Sequence, residues 1–141
     1  MNTHNTGERI VTALKRKIVT AVVSSLLFAF IFSVSGGFDF SINGFANMYY
    51  LNFMFAISYG LVASLFSDWI SRKISKKTVR REIISLVFHC LFGSILLVMS
   101  LVSAITFFTV DRLLAKVKIG WATVSIALAA VVMVFVILLN K

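Results

Sequence analysis

Residues 83–110 read IISLVFHCLFGSILLVMSLVSAITFFTV, twenty-eight positions without one Asp, Glu, Lys or Arg. That exceeds the ~20 apolar residues that carry a helix across about 30 Å of hydrocarbon. At 1.5 Å per residue, one helix of this length measures about 42 Å. The surplus predicts a helix that extends past the bilayer before the chain reverses. Lipid offers no partner for a bare N–H or C=O, so a lone apolar segment satisfies its backbone internally, as a helix.

Three further uncharged runs accompany it, at residues 18–35, 45–67 and 119–139. The chain is 60% hydrophobic and 13% charged, whereas a soluble domain holds ~45–50% apolar and ~25% charged residues. No ten-residue alternation suggests a membrane barrel, and the absence of proline removes the usual cause of kinks. The expected fold is all-α, four transmembrane helices in a compact up-down bundle, multi-pass in the cell membrane. Residues 1–17 are a basic cytoplasmic segment, residues 18–141 a single membrane domain. Lys15-Arg16-Lys17 before the first run and Ser33-Val34-Ser35-Gly36 at its end also fit a secretory signal. The apolar core is longer than the ~7–15 residues of a signal, which favours an uncleaved span.

Basic residues in short loops set orientation. Arg9, Lys15, Arg16 and Lys17 precede the first run and none lies at 36–44; six lie at 68–82 and three (Arg112, Lys116, Lys118) at 111–118, with Lys141 at the end. Four spans with both termini inside put eleven of these inside and three outside, an N-in, C-in arrangement by the positive-inside rule. The last hairpin runs against it, since its three basic residues fall outside and outnumber Lys141. Its turn also lacks Gly, Pro and Asn.

Small residues at fourfold spacing mark helix contacts in lipid. Ala21, Ser25, Ala29, Ser33 and Gly37 form such a stripe, and Asn52, Ala56, Gly60, Ser64 and Asp68 form a second. Ser85, His89 and Gly93, then Ser100 and Ala104, mark the third run, and Ala122, Ser125 and Ala129 the fourth. Packing alone accounts for all of them.

Chemistry is sparse. No span contains a charge, the usual pointer to a pump or proton relay. Asp39, Asp68 and Asp111 stand at run ends, where capping or pairing with nearby Arg and Lys accounts for them. His89 is the one imidazole in the bundle and Cys90 follows it, but neighbours on a helix point about 100° apart and do not form a nucleophile–base pair. The sequence therefore offers no catalytic, cofactor or metal site. His89 is expected to be neutral and bonded to Ser64 or Tyr59; a pH-sensitive packing switch is the sharper alternative. Arg72, Lys73, Lys76, Lys77, Arg80 and Arg81, if helical, share half a helix circumference. They fix topology and can hold anionic lipid headgroups; nucleic acid is not expected as a partner.

Tyr59-Gly60 through Ser64, Ser67-Asp68-Trp69, His89 with Phe92-Gly93, and Phe107-Phe108 through Asp111-Arg112-Leu113-Leu114 resemble a group of uncharacterised small four-span membrane proteins of Bacillus and related Gram-positive bacteria. The resemblance runs from the second helix onward. It implies location and architecture and brings no catalytic or ligand role, but it singles out Gly60, Asp68, His89, Gly93 and Asp111 for mutation.

The expected function is that of a non-enzymatic accessory or regulatory helix bundle, acting on a second copy or on another membrane protein. The alternative is a small transporter or lipid-linked flippase that works as an oligomer, with Asn52, Tyr59 and His89 lining its path. A holin-like pore lacks a continuous polar face, and an enzyme is the least expected class.

Overall fold

A computed structural model describes residues 3–35, 41–94 and 98–139; Gly37 and Asp39 lie outside the described residues. Among the described residues all regular structure is helical, with no strand. Helix α1, Thr3–Ser35, carries the basic N-terminal segment and the first apolar run as one 33-residue rod. Nothing between them breaks a helix: no proline intervenes, so the ladder simply continues.

Ser41 starts the second rod. Its backbone is extended and its Oγ accepts from the Gly44 N–H at 3.1 Å, an N-cap that satisfies one orphan donor. Helix α2 (Ile42–Phe55), a π-helical turn (Ala56–Gly60) and α3 (Leu61–Ile74) follow as one continuous helix, Ile42–Ile74. Such π turns recur at functional sites. The rod ends where Ser75 turns extended. Arg72 and Lys73 in its last turn face the negative pole of the helix dipole. The six basic residues therefore do not share one helix: Lys76 and Lys77 lie in the break, Arg80 and Arg81 in the first turn of α4, Thr78–Ser94.

The described residues of the 28-residue run, 83–94 and 98–110, are divided between two helices, α4 and α5, Val98–Leu114, and the two helices run antiparallel. Gly93 packs on Ala104, the His89 ring lies 5.4 Å from that of Phe108, and Arg112 Nη2 reaches Ser85 Oγ at 3.1 Å. As the number falls along α4 it rises along α5. Two causes favour the fold-back. Gly93 has no Cβ to hold the backbones apart, and Ser100 Oγ donates to the Gly93 carbonyl at 2.6 Å. Doubling back also returns Asp111 to the end of the molecule that carries Arg16, Lys17 and Asp68. Four full spans would set Asp68 and Asp111 at opposite ends of the bundle; here both bond Lys17 Nζ at one end.

Three helical stretches are long and apolar enough to cross a membrane: Gly7–Val34, Ile42–Ile74 and Trp121–Leu139. At 17 residues apiece, α4 and α5 each measure about 25 Å, short of ~30 Å of hydrocarbon.

The first two small-residue stripes meet as contact faces. Ala21, Ser25, Ala29, Asn52, Ala56 and Ser64 are buried, and Asn52 Nδ2 donates to Ser25 Oγ at 3.0 Å. Helix α6, Trp121–Leu139, departs from its expected face. Ala122, Ser125 and Ala129 are exposed, whereas Val124 and Val131 are buried. Tyr50 causes this rotation: its hydroxyl donates to the Val131 carbonyl at 3.0 Å and its ring meets Phe135 edge-on at 5.1 Å. Lys15 Nζ lies 4.8 Å over the Trp121 ring and holds the other end.

Candidate functional site

Lys17 stands one turn before Ala21 on the buried face of α1 and is 0% exposed. An ammonium there needs oxygen on every side, and two helices, α3 and α5, supply it. Lys17 Nζ donates to Ser64 Oγ, to Asp68 Oδ2 at 2.9 Å and to Asp111 Oδ2 at 3.3 Å. Each carboxylate has an arginine of its own. Arg16 forks onto Asp111, Nε to Oδ1 at 2.8 Å and Nη2 to Oδ2 at 3.3 Å. Arg112 Nη2 donates to Asp68 Oδ1 at 2.8 Å. Ser85 Oγ also donates to Asp68 Oδ1, at 3.0 Å.

Three cations thus face two carboxylates, a net charge of +1 in a group whose aspartates are 7% and 2% exposed. The cluster ties α1, α3, α4 and α5 together at one end of the molecule. Fork geometry and charge-assisted bonds give it direction.

Above the cluster lies a cavity of about 230 Å³. Phe28 of α1, Asn52, Ala56, Tyr59 and Gly60 of the π-turn region, His89 and Gly93 of α4, and Ser100 and Phe107 of α5 line it. It sits at the level of the π turn, midway along Ile42–Ile74, where α4 and α5 approach their near ends. Leu51, Phe55 and Tyr59 also line it and are exposed, so it opens sideways beside α2.

Cavity and cluster are joined through one residue. Ser85 Oγ bonds Asp68 and its carbonyl lies 2.9 Å from His89 Nδ1. The expected partners of His89, Ser64 and Tyr59, are not its partners: Ser64 takes Lys17, and the Tyr59 hydroxyl donates to the Phe92 carbonyl at 3.1 Å. A polar thread therefore runs from Arg16 and Lys17 through Asp68 and Ser85 to the cavity wall.

The structure brings together all eight singled-out positions. Asn52, Tyr59, Gly60, His89 and Gly93 line the cavity, while Ser64, Asp68 and Asp111 belong to the cluster. The basic residues stay apart from both: Arg72, Lys73, Lys76, Lys77 and Arg80 are exposed and Arg81 is half-buried, with Lys73 Nζ 5.3 Å from the Trp69 ring. Sequence reasoning missed Lys17, Arg16 and Arg112 as partners. A signal for Lys17 was present, because it extends the stripe Ala21–Ser25–Ala29–Ser33 by one fourfold step.

No family model, curated protein or solved structure matches the chain.

Proposed function

We propose that the protein is a non-enzymatic regulatory subunit of a membrane, in which an ion-paired cytoplasmic end is coupled to a cavity at mid-depth. It has three spans, and α4–α5 enters and leaves by the cytoplasmic face. Arg112, Lys116 and Lys118 then lie inside, so thirteen of the fourteen basic residues are cytoplasmic and Lys141 alone is outside. The positive-inside rule favours this N-in, C-out path over four full spans. Membrane-impermeant maleimide applied to intact cells tests it, in a Cys90→Ser background. Lys141→Cys is expected to react and Lys116→Cys to react only after lysis; the reverse pattern restores four spans.

The polar thread from the cavity wall to the cluster carries the regulatory reading. It gives a change at His89 a physical route to the helix ends that meet the cytosol. Buried ionisable groups beside a span are functional by default, and irregular helix at membrane depth occurs where it lines a cavity. A transporter needs a path on both sides of its site, and the buried side chains of Lys17, Ser64, Ser67, Asp68 and Ser85 fill the cytoplasmic side of this one.

A regulatory subunit needs a surface for its target. Ala122, Ser125 and Ala129 on α6 are small and face outward, as helix contacts in lipid require. A photo-crosslinker at Ser125 is expected to capture a second membrane chain or a second copy, whereas one at the buried Val124 captures neither. Monomers alone at both positions overturn the proposal.

A further inference from the structure

We infer that the cavity is a binding site for a small, neutral, mostly apolar molecule that carries one hydrogen-bond donor, and that His89 Nε2 receives that donor. The inference deepens the regulatory reading by naming the chemical class of its ligand.

His89 is 5% exposed. Its Nδ1 lies 2.9 Å from the Ser85 carbonyl, an oxygen that only accepts, so Nδ1 carries the proton. In the neutral ring the lone pair is then on Nε2, and Nε2 is buried with no partner. An orphaned acceptor in a dry wall loses about 1–3 kcal/mol of hydration with nothing in return, which calls for an explanation. A donor brought by a ligand supplies one.

Three other polar side chains of the wall are engaged: Ser100 Oγ donates to the Gly93 carbonyl, and the other two are Tyr59 and Asn52. Tyr59 donates to Phe92 and Asn52 Nδ2 donates to Ser25. Phe28 and Phe107 supply apolar faces. Among the described residues no Asp, Glu, Lys or Arg lines the cavity, so a charged ligand would be buried without a counterion at prohibitive cost. Size agrees: an apolar cavity of about 150 Å³ takes up benzene, and this one is about 230 Å³. A substituted ring with one hydroxyl fits both volume and bonding.

The probes are 4-ethylphenol, which has the donor, and 4-ethylanisole, the same ring with its hydroxyl capped by a methyl group. Both are titrated into the full chain in nanodiscs, with histidine ring nitrogens labelled and affinities referred to probe concentration in the bilayer. The phenol is expected to bind about tenfold more tightly, the worth of one hydrogen bond, and to shift the His89 Nε2 resonance while the anisole does not. His89→Phe should bind both probes equally. Gly60→Leu, where a Cβ meets nothing closer than 3.7 Å, should fill the cavity and bind neither.

Equal affinity in the unmodified protein, or a phenol preference that survives His89→Phe, overturns the donor assignment and leaves a merely apolar site. If neither probe binds, the site itself is overturned. The regulatory reading is judged apart from this, by the Ser125 crosslink.

Discussion

Asp68→Asn is expected to destabilise the bundle by about 3–5 kcal/mol, the range for breaking a buried ion pair from one side, and by more than Lys17→Met. Charge counting gives the order. The native cluster holds Arg16, Lys17 and Arg112 against Asp68 and Asp111, a net +1. Removing the Asp68 charge leaves three cations around Asp111 alone, a net +2. It also strips the acceptor from Lys17 at 2.9 Å, Arg112 at 2.8 Å and Ser85 at 3.0 Å. An asparagine oxygen takes only part of that load, and its NH₂ points another donor at the same cations.

Lys17→Met instead leaves two arginines on two aspartates, a neutral set in which Arg16–Asp111 and Arg112–Asp68 persist. The methionine fills the tunnel of the lysine stem. The residual loss is the bridging bonds, about 1–3 kcal/mol. The double variant returns the cluster to +1 and should recover part of the Asp68→Asn loss, with a coupling of about 0.5–3 kcal/mol. Denaturation midpoints of the four proteins in one nanodisc composition measure all of this. A Lys17→Met protein less stable than Asp68→Asn would mean that the ammonium, not the carboxylate, organises this end.

Much of the bundle could be read from the chain because its cause is local. Runs 18–35, 45–67 and 119–139 each lie in or nearly coincide with a helix long enough to span, since hydropathy and a fourfold stripe are properties of neighbouring residues. The stripe Ser85–His89–Gly93 is buried for the same reason. What the sequence hides is non-local. An apolar string has the same composition whether it forms one rod or two halves side by side, and Gly93-Ser94 near its middle is a weak mark among common small residues. Asp111 bonds Lys17 across 94 positions, a distance at which no periodicity operates. The face of α6 was misread because small residues suggested contact, whereas the Tyr50 hydroxyl, bonded to Val131, decides its rotation. For the cavity, the fourfold spacing places Asn52, Gly60, His89 and Gly93 on contact faces. It does not show that those faces leave a gap.

Gly93→Ala is the second large effect expected, and it discriminates between the two ways of laying out residues 83–110. A Cβ at Gly93 would stand 2.8 Å from Ala104 Cβ, 3.2 Å from the Ser100 carbonyl oxygen and 3.3 Å from Leu101 Cα. Two of these three are backbone atoms and the third is a Cβ, none able to swing aside, so α4 and α5 must separate. Overpacking of this kind costs about 1–3 kcal/mol. The intrinsic helix preference of alanine over glycine, about 1 kcal/mol, offsets part of it. Gly7→Ala in α1 is the control: its added Cβ meets nothing within 4 Å, and the variant should be at least as stable as the parent. The decisive measurement is rescue. Adding Ala104→Gly to Gly93→Ala removes the 2.8 Å contact and leaves the two backbone contacts at 3.2 and 3.3 Å, so part of the loss should be recovered, with a coupling of about 0.5–3 kcal/mol. In a single unbroken helix, positions 93 and 104 would stand about 16 Å apart along the axis. The two changes would then simply add. Additive losses would restore the long rod and carry Asp111 back to the far side of the membrane, whereas rescue requires the antiparallel pair that brings it to Lys17.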